Sequence, residues 1–212
     1  MIRLIARTIK ACVVLLLFAA PIAFAQERPA TIPHAASLGD ENVLALAPWR
    51  VAGKEGHLVC RVSERNMRGD DKLPLRELVV YRQEGTKVTK IFNFETPDSL
   101  LNVYALGDYN ARLFTTWVGG SAYHLRVWAF IDGQVRQVLD GGTKIAPELL
   151  YDEHGDESVL ITDPVKETGQ WSAAGGTTTV FKWDGRKYEK IGTVPWTKRL
   201  QCTSRESCAS LE

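Results

Sequence analysis

The spacing of turn-forming residues constrains this chain more than any other feature. Pro48, Pro97, Pro147 and Pro195 fall 49, 50 and 48 residues apart, and the acid–glycine pairs Glu84-Gly85, Asp132-Gly133 and Asp184-Gly185 fall 48 and 52 apart. A fixed period of that length marks a repeat architecture, in which each unit buries its apolar faces against its neighbours. Between the landmarks one order recurs. An apolar stretch ("HLVCRV", "RLFTTW", "SVLIT") is followed by a connection and a second stretch ("ELVVYRQ", "YHLRVWAFI", "TTTVFKW"). The acid–glycine turn and a third stretch ("KVTKIFNF", "QVRQVLD", "KYEKIGTV") complete the unit. These stretches are short, rich in β-branched and aromatic residues, and bounded by Gly, Pro or Asp, as strands and hairpins are. No segment beyond the first 25 residues keeps a helical period over three turns. The pattern predicts an all-β, antiparallel domain over residues 41–198, with about three repeated three- to four-stranded units of roughly 50 residues each.

The N-terminal residues have a different character. Arg3, Arg7 and Lys10 precede an apolar run from Ala11 to Ala20, and Ala23-Phe24-Ala25 supplies the small residues that a signal peptidase accepts. Residues 1–25 are therefore expected to be a signal peptide, residues 26–40 a flexible linker and residues 199–212 a polar C-terminal tail. The apolar run is short for a bilayer span, so the mature chain is expected to be secreted or periplasmic with no membrane span. A net charge of +1 with 24% charged residues gives no attraction to nucleic acid. In an oxidising compartment Cys202 and Cys208, which bracket the polar loop of "CTSRESC", are expected to form a disulfide. Cys60 lies in "HLVCRV", where a buried free thiol and a bridge to the tail both remain open.

Two loops add a family resemblance. "YDEHGDESVLIT" (residues 151–162) and, more faintly, "ALGDYNARLFTTW" (residues 105–117) resemble the Asp-rich loop and following apolar strand of FG-GAP and VCBS-like repeats in bacterial secreted β-propellers. The resemblance covers residues 41–196. It implies propeller-like units and a calcium loop of the form Asp-x-Asp-x-Asp-Gly, in which Asp152 and Asp156 match. His154 replaces the middle Asp, and Leu160 stands where a ninth-position oxygen ligand belongs. Calcium takes six to eight oxygens. Two matching carboxylates fall short, and Asp163, five extended residues past Ser158, would lie roughly 16 Å away. The loop is therefore expected to be a polar turn capped by Asp152 and Asp156, with no cofactor. Calcium held by that pair is the rival expectation. Three units are also fewer than the four or more blades that close a propeller, so an open stack or sandwich stands beside the propeller-like arrangement.

The common signatures of catalysis are missing. The chain has no Gly-x-Ser-x-Gly elbow, His-Glu-x-x-His pair, phosphate loop or dinucleotide fingerprint. Ser121 in "VGGSAY" reads as part of a glycine-rich connection, and His57, His124 and His154 are scattered over different units. Alternation in "AYHLRVWAFI" puts Leu125 and Val127 on one face and Trp128 and Phe130 on the other, which predicts a strand buried on both sides. Trp128, Trp117, Trp49 and Trp183 accordingly belong to the core. Trp171 differs, because "DPVKETGQWSAAGG" surrounds it with turn formers and charges, so it is expected to lie exposed on a long connection. The connection between the first and second stretches varies most from unit to unit, and equivalent insertions in stacked repeats project from one side. Arg68 and Asp70 of "SERNMRGDDKLP" are thereby expected to share a rim with Trp171. The tripeptide Arg68-Gly69-Asp70 itself carries no functional assignment. Trp171, Arg68 and Asp70 are the candidate ligand-binding residues of a non-enzymatic binding domain. Its expected partner is an envelope or extracellular protein, a glycan or a small ligand. An extracytoplasmic hydrolase and a structural envelope protein are the other two functional readings.

Overall fold

Among the residues described by the computed structural model, which are 41–49, 57–65, 74–106, 112–151 and 156–211, twelve strands form three four-stranded antiparallel sheets. The first holds β1 (Glu41–Trp49), β2 (His57–Arg65), β3 (Leu75–Glu84) and β4 (Lys87–Thr96). The second holds β5 (Ser99–Leu106), β6 (Arg112–Gly119), β7 (Ala122–Ile131) and β8 (Gln134–Thr143). The third holds β9 (Glu148–Tyr151), β10 (Glu157–Glu167), β11 (Gln170–Trp183) and β12 (Tyr188–Pro195). In each sheet the spatial order follows the chain, so every sheet is one meander and one repeat unit. The sheets do not close into a barrel; they pack as an open series.

The acid–glycine landmarks occupy the same joint in each unit, between its third and fourth strands. At Asp132-Gly133 both residues have positive φ (52° and 78°), the conformation that lets a two-residue hairpin follow the twist of its strands. Asp184 builds its turn another way, its carboxylate accepting from the amides of Arg186 and Lys187 at 2.7 and 2.8 Å. Pro97, Pro147 and Pro195 lie at the unit boundaries. Pro48 does not: it sits inside β1, opposite Val59, where an edge strand tolerates the missing N–H.

The hydrophobic core is layered by the sheets. Trp49, Leu58, Cys60, Val62, Leu78 and Val80 of the first sheet meet Leu113, Trp117 and Trp128 of the second. From the other face of the second sheet, Phe114, Leu125, Val127 and Leu139 meet Val159, Ile161 and Tyr188 of the third. The middle sheet is thus apolar on both faces, as the alternation in β7 predicts. Each of these large side chains contributes about 1.5–3 kcal/mol on burial. The indole N–H of Trp128 donates to Thr115 Oγ1 at 3.0 Å, so its polar edge is satisfied inside the core. Cys60 is a buried free thiol, pushed up to about 12 by desolvation; a bridge to the tail is not formed.

A third apolar layer lies on the outer face of the third sheet, covered by residues 196–211. A 3-10 turn (Trp196–Gln201) and α1 (Arg205–Ala209) fold over this face. Cys202 and Cys208 are joined as a disulfide with Cα atoms 4.5 Å apart, and both are buried against Leu160, Val180 and Val194. Ser204 caps α1 reciprocally with Ser207, accepting from its amide at 3.1 Å while Ser207 Oγ accepts from the Ser204 amide at 2.8 Å. Within this otherwise polar tail, the two cysteines and Leu211 supply the apolar contacts.

Candidate ligand-binding rim

In a four-stranded meander the second-to-third strand connections leave from the end opposite the first-to-second and third-to-fourth ones. Contacts between units show that each kind of connection gathers on one side. At one end Arg82 of β3 donates to Gly133 O at 3.5 Å, and Arg186 pairs with Asp132 at 2.9 Å, tying the acid–glycine turns together. At the other end Arg76 donates to Pro97 O at 2.7 Å. Asp98 lies so close to Gly119 that a Cβ there would collide with its carboxylate. Lys144, between β8 and β9, donates to Ser121 Oγ of the β6–β7 turn at 2.5 Å. This second end is the rim that carries the variable connections.

Trp171 stands on that rim, but not on an irregular loop. Thr168 and Gly169 take positive φ (47° and 85°) and form a tight hairpin turn. β10 and β11 therefore continue outward to Glu167 and Gln170, with Trp171 opposite Lys166. The register breaks between Asp163 and Val165, where residues 173–176 bulge out of the ladder. Gly176 permits this, since a Cβ would strike the Asp163 carbonyl oxygen. The result is a hairpin arm that holds Trp171 48% exposed. Lys144 and Lys166 each place Nζ 5.9 Å from its ring centroid. Such exposed cation–π contacts are worth about 0.5–1 kcal/mol each. Neither lysine has an ion-pair partner among the described residues. The site is therefore an exposed indole flanked by two ammonium groups, one of which also donates to Ser121 Oγ, an arrangement suited to an aromatic contact beside negative charge.

The other predicted residues are distributed as follows. Arg68 and Asp70 lie outside the described residues, as do Asp152 and His154. Asp156 is exposed at the head of β10, and Asp163 is carried by that strand toward the rim. Among the described residues no group of three or more His, Cys, Asp or Glu side chains is placed to hold a metal ion. Lys144 and Lys166 were not legible as site residues from composition. Reading "ETGQ" as a tight hairpin turn puts Lys166 across from Trp171, whereas Lys144 arrives from the join between units and needs the stacking itself.

Residues 107–111 and 152–155, which make up most of the two Asp-rich stretches, lie outside the described residues; in chain order each stretch falls between the first and second strands of its unit. At the start of β10, Glu157 is turned inward and committed to its neighbours. Arg112 Nε lies 2.7 Å from Glu157 Oε1 in an ion pair that is not a linear hydrogen bond, and Tyr188 OH donates to the same oxygen. The Arg112 guanidinium stacks over Trp183 at 4.8 Å. Desolvation, then the hydrogen bond to Glu157, pushes the Tyr188 phenol far above its ordinary range; desolvation, then Tyr151 and Glu157, raises Tyr104 to about 12. This cluster locks the second sheet to the third. No protein-family model matches the chain, and no curated protein matches it in sequence.

Proposed function

We propose that this chain is a secreted or periplasmic β-repeat domain that works by binding, with the rim around Trp171 as its contact surface. The observation that carries this reading is the exposed indole between two lysines on a hairpin arm braced by the stacked sheets. Loops and arms held by a rigid scaffold are where binding residues concentrate, and tryptophan combines large contact area with few rotamers. The Cys202–Cys208 disulfide supports an oxidising compartment, in keeping with the N-terminal signal pattern. The partner class is an envelope or extracellular protein, a glycan or a small ligand, and neither nucleic acid nor a cofactor enters the reading. The test is to screen the immobilised domain against envelope extracts and a glycan array beside Trp171→Ala. Truncating a central tryptophan costs at least about 2 kcal/mol, so retention is expected to fall roughly thirtyfold. Unchanged retention would leave the structural envelope role as the better account.

A hydrolase reading has one observation in its favour, the Lys144–Ser121 contact. In it the ammonium donates and the hydroxyl accepts, the reverse of what a general base needs. A serine-reactive phosphonate probe is expected to leave Ser121 unlabelled; labelling lost in Ser121→Ala would restore catalysis.

A further inference from the structure

The two sides of the stack, one formed by the opening strands and one by the closing strands, differ in chemistry. β1, β5 and β9 are each paired on one side only among the described residues. β1 lies against β5, and Tyr104 of β5 shares a core cluster with Leu149 of β9, so the three strands form one row. Their charged residues are Glu41 and Glu148, and Glu148 is held by Arg199 at 3.1 Å. Val43, Leu44, Leu46, Leu101 and Tyr151 are all exposed along this row. The closing strands carry charges instead: Lys87, Lys90 and Glu95 on β4, Arg136 and Asp140 on β8, Glu189 and Lys190 on β12. Edge strands are ordinarily guarded by such charges, and the opening row lacks them. Leu44 and Leu101 fall at register breaks in their ladders, which discourage the addition of a further strand and present side chains outward instead.

We infer that the row of opening strands is the interface of a two-fold homodimer. A nearly charge-free apolar row is self-complementary, because identical rows meet across a two-fold axis without like-charge repulsion. From strand rise and sheet spacing the row is about 25 Å wide and runs roughly 30, 26 and 13 Å along β1, β5 and β9, roughly 600 Å² in all. A stable interface buries about 800 Å² on each partner. Sedimentation velocity of the purified protein over a concentration series is the test. Wild type is expected to shift from monomer to dimer, and Leu44→Glu combined with Leu101→Glu to weaken association at least about tenfold. Val88→Glu, at an exposed position on β4, is expected to leave the dimer unchanged. Leu46→Lys repeats the test should the double variant fail to fold. A protein that stays monomeric throughout overturns the inference. So does a dimer that Val88→Glu dissolves while the opening-strand variants do not.

Discussion

Replacing Glu157 by glutamine keeps the shape of the side chain and removes only its charge. The Glu157 side chain is 5% exposed and its partner Arg112 10%, between two sheets whose other contacts there are aromatic. Tyr188 still finds an oxygen to donate to, so the change isolates one term: a guanidinium left without a counter-charge in the interior. Removing one member of a buried pair costs about 3–5 kcal/mol. In a domain of this size each kcal/mol lowers the melting temperature by about 2–4 °C, so the fall should lie between about 6 and 20 °C. Urea unfolding followed by tryptophan fluorescence gives the free energy directly. Two companions sharpen the test. Arg112→Met with Glu157→Leu and Tyr188→Phe removes both charges together with the hydroxyl that would lose its acceptor, and should be close to neutral. Arg186→Ala breaks a pair whose side chains are 71% and 64% exposed, and should cost under about 1 kcal/mol. If Glu157→Gln costs no more than Arg186→Ala, the pair is effectively solvated and does not lock the second sheet to the third.

Three further outcomes are expected. Cys202→Ser with Cys208→Ser should lose about 2 kcal/mol of loop-closure stabilisation and open the chain to protease after Lys198; unchanged cleavage would mean that the tail is held without the disulfide. Cys60, Tyr104 and Tyr188 titrate above their unfolded values, so the stability they confer is whole below about pH 9–10 and is lost as pH rises toward 12 and beyond. Urea midpoints between pH 8 and 12 should therefore fall, less steeply in Tyr188→Phe, and a flat profile would count against burial of these groups. Calcium added to metal-stripped protein should leave the melting temperature unchanged, whereas micromolar binding abolished by Asp152→Ala would return the Asp-rich loop to a metal role.

Turn chemistry made the fold legible, because an acid–glycine pair states its backbone conformation locally, and three such pairs at one period imply three like units. Two-faced burial of β7 was legible for the same reason, since alternation alone assigns Leu125 and Val127 to one side and Trp128 to the other. The opening strands were fainter: β9 is the four residues "ELLY", and β1 contains a proline. Trp171 stood out by contrast with its polar surroundings, yet its hairpin arm did not, because Thr168 replaces the Asn or Asp usual before such a glycine. The tail and Lys144 were hidden for a different reason. Their partners lie on faces that exist only after the sheets have stacked, so no local pattern announces them.

The tail over the third sheet also bears on how the protein is made. Residues 196–211 are translated after the strands they cover, so while they remain in the ribosome the outer faces of Leu160, Val180 and Val194 have no covering layer. A chain stalled or truncated in that interval displays the kind of apolar surface that chaperones and proteases act upon. Adding residues 196–211 and oxidising their cysteine pair withdraws that surface, so a few residues late in the chain decide whether the third sheet stays exposed to such attention.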